Sequence, residues 1–257
     1  MRSGVVRALK MVSNGIDRVA QAGQHRFIRE TKAGIAHGEH VLKQLFALLD
    51  VDTVFDVGAN VGQYAQQLRG DVGYRGAIVS FEPLPHAAQR VRQLAQSDAS
   101  WRVVECAIDD RAGKTTFNIM SGDEFSSLLP PSKDFEGRFH GQHHIESSIT
   151  VDVITLADAV AMAPDMRRGL LKLDTQGTEL RLLAGGLESL QRFPAVQMEV
   201  AFKALYEGEE TFETVVRRLD AWGYELCALF PNNHGHFPHL VEMDSIFLRR
   251  DCMPALP

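Results

Sequence analysis

From residue 53 to residue 248, short apolar runs alternate with segments of helical period. The runs Thr53–Val57, Ala77–Phe81, Arg102–Glu105, Leu170–Leu173, Val196–Val200, Glu225–Phe230 and Ser245–Leu248 read as strands. Residues 61–69, 85–96, 178–191 and 210–222 read as helices, the last stopped by Gly223. Strands separated in this way predict a mostly parallel sheet covered on both faces. The last two strands have no helix between them, only a turn-rich stretch that opens with Pro231-Asn-Asn-His-Gly235, so they should pair as an antiparallel hairpin at the sheet edge.

Two regions stand outside this rhythm. Before residue 50 the pattern is helical: Val5, Val6, Leu9, Val12, Ile16 and Val19 share one face, and a second amphipathic stretch runs from His40 to Leu49. Residues 1–48 are therefore expected to form a helical extension and residues 49–250 the main domain. Between 113 and 153, two β-like pieces, Lys114–Ile119 and Ser148–Val153, flank a polar stretch rich in Gly, Ser and His. A loop of that length within a compact domain is usually functional.

The first strand runs into the most informative stretch, VFDVGANVGQY at 54–64. A strand that breaks into a glycine turn and then a helix brings backbone N–H groups up to a ligand. Gly58 and Gly62 fit such a turn. The dinucleotide pattern, however, wants glycine where Asn60 stands, and a β-carbon there disfavours a pyrophosphate. No Gly-Lys-Ser/Thr follows, which excludes a P-loop. What remains is an adenosine-like ligand without phosphate. Glu82, at the end of the second strand, is placed to accept both ribose hydroxyls. Asp56 is available to the loop backbone or to a cationic ligand tail. After the third strand, Ala107, Ile108 and Asp109 offer a backbone N–H and a side chain to an adenine edge.

Composition narrows the class further. The 257 residues are 45% hydrophobic and 23% charged, ordinary for a globular α/β chain. Three cysteines without a CxxC pair argue against a disulfide framework or zinc ribbon and fit a cytoplasmic setting. No run approaches the ~20 apolar residues of a membrane span, and Arg7 and Lys10 interrupt the N-terminus as a signal peptide. The net charge of −6 is uneven: residues 1–32 hold seven basic residues against two acids, and the rest holds 20 against 31. The acidic body disfavours a nucleic-acid partner, while the basic head suits peripheral contact with a membrane surface.

Glycine loop, Glu82 and the acid after the third strand together resemble the class I S-adenosylmethionine-dependent methyltransferases, whose Rossmann-like sheet also ends in an antiparallel hairpin. Leu171-Lys172-Leu-Asp174-Thr-Gln176-Gly177-Thr-Glu179-Leu180 resembles the motif of the FkbM-type members. Phe81-Glu-Pro83, Ser126-Ser127-Leu128, Met198-Glu199 and Asp244-Ser-Ile-Phe247 match as well, so the resemblance covers about residues 50–250. Thr175 stands where a valine is common.

The resemblance implies S-adenosyl-L-methionine as cofactor and O-methylation of a hydroxyl on a sugar or secondary metabolite. The acceptor is then a small molecule, a saccharide or glycosylated metabolite, and a homodimer is among the expected assemblies. Alternatives on the same fold are an amine or carboxylate acceptor, or a binding module without turnover. Asp174 and Glu199 are the candidate bases, because a hydroxyl must lose its proton as the new bond forms. His143 and His144 are candidates on a lid, and Ser126, Ser127 and Gln176 are candidate acceptor contacts. Trp101, Phe125, Phe135, Phe139, Phe202, Tyr206 and Phe237 are candidate pocket walls. The other histidines of the irregular segment and the last hairpin, His140, His234, His236 and His239, lack an established ligand spacing, and no metal is expected.

Overall fold

The computed structural model describes residues 33–135, 141, 143–231 and 239–255. Its centre is a seven-stranded sheet in the order β3-β2-β1-β7-β8-β10-β9. The strands are β1 (Thr53–Val57), β2 (Ala77–Phe81), β3 (Trp101–Val104), β7 (Gly169–Leu173), β8 (Ala195–Ala201), β9 (Tyr224–Phe230) and β10 (Glu242–Arg249). Pairs from β3 through β8 are parallel, and β10 runs antiparallel to both β8 and β9. The expected antiparallel pair is present, but β10 is inserted inside the sheet and β9 forms the edge. Ser245 to Leu248 are buried, so β10 gains from neighbours on both sides.

Period-two alternation within the central strands divides the core. Val54 and Leu170 face one side with Ile78, Phe230 and Ile246. Phe55 and Leu171 face the other with Phe81, Phe193, Val196 and Phe247. Helix α1 (Ala33–Leu49) covers the first side through Leu42, Leu45 and Leu49. The later part of the expected N-terminal extension thus shares the domain core. The run from Val5 to Val19 and the basic head lie outside the described residues, as do His140, His234, His236, Phe139 and Phe237. No described helix is long and apolar enough to cross a membrane.

The other helices are α2 (Gln63–Gln67), continued as a π-helical turn over Leu68–Val72, α3 (Pro85–Ala95), α4 (Leu156–Ala161), α5 (Glu179–Gly185), α6 (Leu187–Leu190) and α7 (Phe212–Ala221). The single helix expected over 178–191 is split at Gly186. A β-carbon on Gly185 would sit 2.6 Å from the Asp110 Cα, and one on Gly186 2.7 Å from the Leu156 Cβ, so both glycines admit close neighbours. Helix α4 went unpredicted, yet its start has a signal. Thr155 and Asp158 form a reciprocal capping box.

The polar region 113–153 contributes two strands to a second sheet. β5 (Gly113–Met120) pairs antiparallel with β6 (Ile145–Ile154), and β6 pairs parallel with the short β4 (Ala107–Ile108). Met120, Leu205, Tyr206 and Val241 form a small cluster near its far end, with Phe125 packed on it. That cluster ties the second sheet to the carboxyl end of β8 and the amino end of β10.

Candidate active site

At the carboxyl end of β1 the chain turns through Gly58, Asn60 and Gly62, with φ of 74°, 46° and 86°. Gly58 N–H and Ala59 N–H both donate to the Phe81 carbonyl, which pins the turn to β2. A β-carbon on Gly58 would lie 1.8 Å from the Asp174 carbonyl oxygen, so β1 and β7 approach one another as only glycine allows. At the end of β2 the Glu82 carboxyl accepts from Asn60 N–H (2.7 Å) and Leu84 N–H (2.9 Å). Burial pushes this carboxyl up to about 7, against the pull of those two amides and of Lys172.

Beneath the turn lies a buried ionic group. Asp56 and Lys172 are directly paired residues on β1 and β7. The Lys172 Nζ is 3.3 Å from an Asp56 carboxyl oxygen, 3.3 Å from Asp174 Oδ2, and donates to the Gly58 carbonyl at 3.0 Å. Burial alone would lower the ammonium's pKa; Asp174 and Asp56 outweigh it, and Lys172 stays charged with a raised pKa. Ser80 donates to the second Asp56 oxygen and accepts from the Trp101 indole N–H.

The segment after β7 forms the opposite end. Gln176 holds a left-handed backbone (φ 57°), and its carbonyl accepts from the Ser127 hydroxyl. Its side-chain NH2 donates to Asp174 (2.7 Å) and to Glu199 (3.1 Å), and its Oε1 accepts from the Tyr206 hydroxyl (2.7 Å). Glu179 closes the same turn from α5 by accepting from Thr175 N–H (2.7 Å) and Gly177 N–H (3.0 Å). The motif thus divides its labour: Lys172 anchors, Asp174 and Gln176 face the ligand space, and Glu179 ties the loop. Burial, with Glu242, Asp174, Asp244 and Glu179 nearby, raises the Glu199 pKa well above the carboxylate range. Burial and Asp174 push Asp244 up to about 7.

Between the two ends lies a cavity of about 360 Å³. Gly58, Asn60, Glu82, Ala107, Ile108, Ser126, Asp174, Gln176 and Glu199 line it, together with Phe125, Cys106, Thr178 and Glu242. The other candidates are placed elsewhere. Asp56 is fully buried under the turn. Gly62 faces Leu94 and Trp101, where a β-carbon would meet atoms at 3.1–3.5 Å. Asp109 turns from the cavity because the Arg181 guanidinium holds both its oxygens. Ser127 is buried behind Gln176. His143 lies edge-on to Phe125 and Tyr206, behind the wall, and exposed His144 bonds to the Gly141 carbonyl.

Glu179 and Glu242 were not among the candidate site residues, and Tyr206 was expected only as a pocket wall, not as the hydroxyl that bonds Gln176. Glu179 was legible in the Gly-x-Glu spacing. Glu242 comes from a separate strand and carries no local signal, and none ties the Tyr206 hydroxyl to Gln176.

These buried acids give a pH dependence. In the unfolded chain they ionise near pH 4. Burial holds Glu82 and Asp244 protonated to about 7, and burial with Glu179 nearby holds Glu209 to about 8. The folded state therefore keeps protons that the unfolded state has released. Their stabilising contribution is complete below about pH 4 and is lost as pH rises to about 8. Urea midpoints should show this fall, and Asp244→Asn should flatten it relative to wild type. An unaltered slope in that variant would rule out Asp244 as a contributor.

A sequence profile for the Methyltransferase FkbM domain matches residues 56–226. The chain is 29% identical over 218 residues to the 2-O-methyltransferase NoeI of Sinorhizobium fredii (strain NBRC 101917 / NGR234), spanning 79% of this chain and 87% of that protein. It is 28% identical over 249 residues to the 31-O-demethyl-FK506 methyltransferase FkbM of Streptomyces tacrolimicus, spanning 88% and 92%. Among solved structures it is similar to methyltransferase FkbM from Methylobacillus flagellatus KT, with a TM-score of 0.50 and 15% identity. That match covers 77% of this chain but 44% of the other, so the chain spans less than half of that protein, and the likeness is one of fold.

Proposed function

The chain belongs to the FkbM methyltransferase family, and from that premise we propose that it methylates a hydroxyl of a saccharide or other small metabolite. It is a methyltransferase, and S-adenosyl-L-methionine is its donor. The residues present fit that donor. Gly58 lets the backbone come close, each Glu82 oxygen has a lone pair beyond the amide it already accepts, and Ala107 and Ile108 give an apolar wall to a cavity of about 360 Å³. Once bound, the donor supplies an electrophilic methyl group on a sulfonium.

The chain's own residues do the rest. Glu82 and the Gly58–Asn60 turn hold the nucleoside, and the apolar wall with Phe125 excludes water. At the far end Asp174 and Glu199, bridged by Gln176, orient the acceptor hydroxyl and take its proton. The observation that carries this reading is that one cavity joins Glu82 to the Asp174–Gln176–Glu199 group.

A carboxylate acceptor is the weaker reading. Among the described residues the cavity lining includes Glu82, Asp123, Glu124, Asp174, Glu199 and Glu242 and neither Lys nor Arg, which repels an anion. The same charge supports a partner other than nucleic acid. Cytoplasmic residence, the homodimer and membrane contact through the basic head remain proposals from the sequence.

Two measurements test the assignment. Calorimetric titration should show S-adenosylhomocysteine binding and no NAD binding; NAD binding would overturn the donor-site reading. Labelled methyl transfer to a panel of glycosides, amines and carboxylates should label only hydroxyl acceptors. Glu82→Ala should weaken S-adenosylhomocysteine binding by roughly 1.5–3 kcal/mol, the scale of a charge-assisted hydrogen bond. Unchanged affinity would remove Glu82 from the nucleoside contact.

A further inference from the structure

Resting on the donor reading above, we propose that the Glu199 end of the cavity exchanges a proton for the donor's positive charge. Glu199 gives up its proton as the cationic sulfonium donor is bound, and the neutral thioether product leaves it protonated.

The geometry carries the argument. Glu199 on β8 stands directly opposite Asp244 on β10. Asp174, from the end of β7, shares the Gln176 amide with it. Glu242 from β10 lines the same cavity, and Glu179 of α5 closes the turn that carries Gln176. Tyr206, with Glu209 beside it, supplies a phenol to Gln176 rather than a charge. The Lys172 ammonium is already divided among Asp56, Asp174 and the Gly58 carbonyl.

Carboxyls crowded in this way cannot all ionise in a buried site, and the resting cluster relieves the repulsion by holding a proton. The high pKa of Glu199 agrees with that arrangement. A cation entering the same cavity relieves the repulsion instead, so the proton is expelled.

This exchange prepares the base that the reaction needs. During transfer the S–CH3 bond breaks, the sulfur keeps its electron pair, and the O–CH3 bond forms. The acceptor's O–H proton passes to the Glu199 carboxylate, which returns to its resting protonated state. The site is then neutralised without the sulfonium, and the thioether product has lost its electrostatic hold.

The test is calorimetry of the full chain at about pH 7.5 in two buffers of different ionisation enthalpy, phosphate and Tris, with S-adenosylmethionine and S-adenosylhomocysteine as probes. The buffer dependence of the heat counts protons. Any contribution from Glu82 is common to both probes, so their difference reports the acidic end. We expect about one more proton released per site by S-adenosylmethionine than by S-adenosylhomocysteine, and loss of that difference in Glu199→Gln. Retained S-adenosylhomocysteine binding shows that the variant is folded. Should Glu199→Gln not fold, Asp244→Asn must reduce the difference. Equal proton counts for the two probes, or an undiminished difference in the variants, overturn the inference and leave the donor reading standing. Binding of neither probe by the wild type overturns both.

Discussion

Gly58→Ala is expected to destroy nucleoside binding and to lower folding stability by several kcal/mol. Two separate costs meet at this position. At φ 74° an L side chain is strained by roughly 1–2 kcal/mol. The new β-carbon would also lie 1.8 Å from the Asp174 carbonyl oxygen, a backbone atom without a rotamer to change. Neither partner yields easily, because Gly58 N–H is bonded to Phe81 and Asp174 N–H to the Val57 carbonyl. Relief requires parting β1 from β7 where both line the cavity, and overpacking of this kind costs roughly 1–3 kcal/mol more. Gly73 is the control, with φ 82° but nothing within 4 Å of its would-be β-carbon. Gly73→Ala should cost only the conformational part and leave S-adenosylhomocysteine affinity intact. Equal behaviour of the two variants in urea denaturation and calorimetry would refute the close approach at Gly58.

Lys172→Met is expected to cost about 3–5 kcal/mol, the penalty for leaving a buried charge without its partner. Asp56 is fully buried, and Lys172 also holds Asp174 and the Gly58 carbonyl. Methionine fills much of the volume but answers none of the three acceptors. Adding Asp56→Asn removes one stranded charge and should recover part of the loss, which distinguishes electrostatics from packing. A single variant within about 1 kcal/mol of wild type, or a double variant no better than the single, would contradict the account. Gly58 and Lys172 thus act on one seam, where the β1 turn meets the end of β7.

That seam was half legible in the sequence. The glycines declared a turn, and the Lys172-to-Glu179 phrase declared a second one, because both requirements are local. Their meeting depends on the pairing of β1 with β7 across more than a hundred residues, which no window of sequence displays. Asp109 shows the same limit from the other side. It stands where an adenine contact is expected, but Arg181 from a later helix holds it away from the cavity. His143 is buried by ring contacts with Phe125 and Tyr206, partners that only the tertiary fold assembles. The strands themselves were read within a few residues, since apolar runs buried on both faces leave little ambiguity of period. The exception was β10, whose antiparallel sense was expected but whose interior place was not. Hairpin logic names a partner and says nothing of a second neighbour.

The interior place of β10 has a consequence for biosynthesis. Among the described strands β9 is bonded only to β10, and β8 meets β10 on the side away from β7. Until residues 242–249 have left the ribosome, β8 presents an open edge and β9 has nothing to join. Glu242 and Asp244 arrive with that same strand, so the acidic end of the cavity is completed late in synthesis. A nascent chain stalled before it would carry an unpaired, apolar strand edge, the kind of surface that chaperones shield.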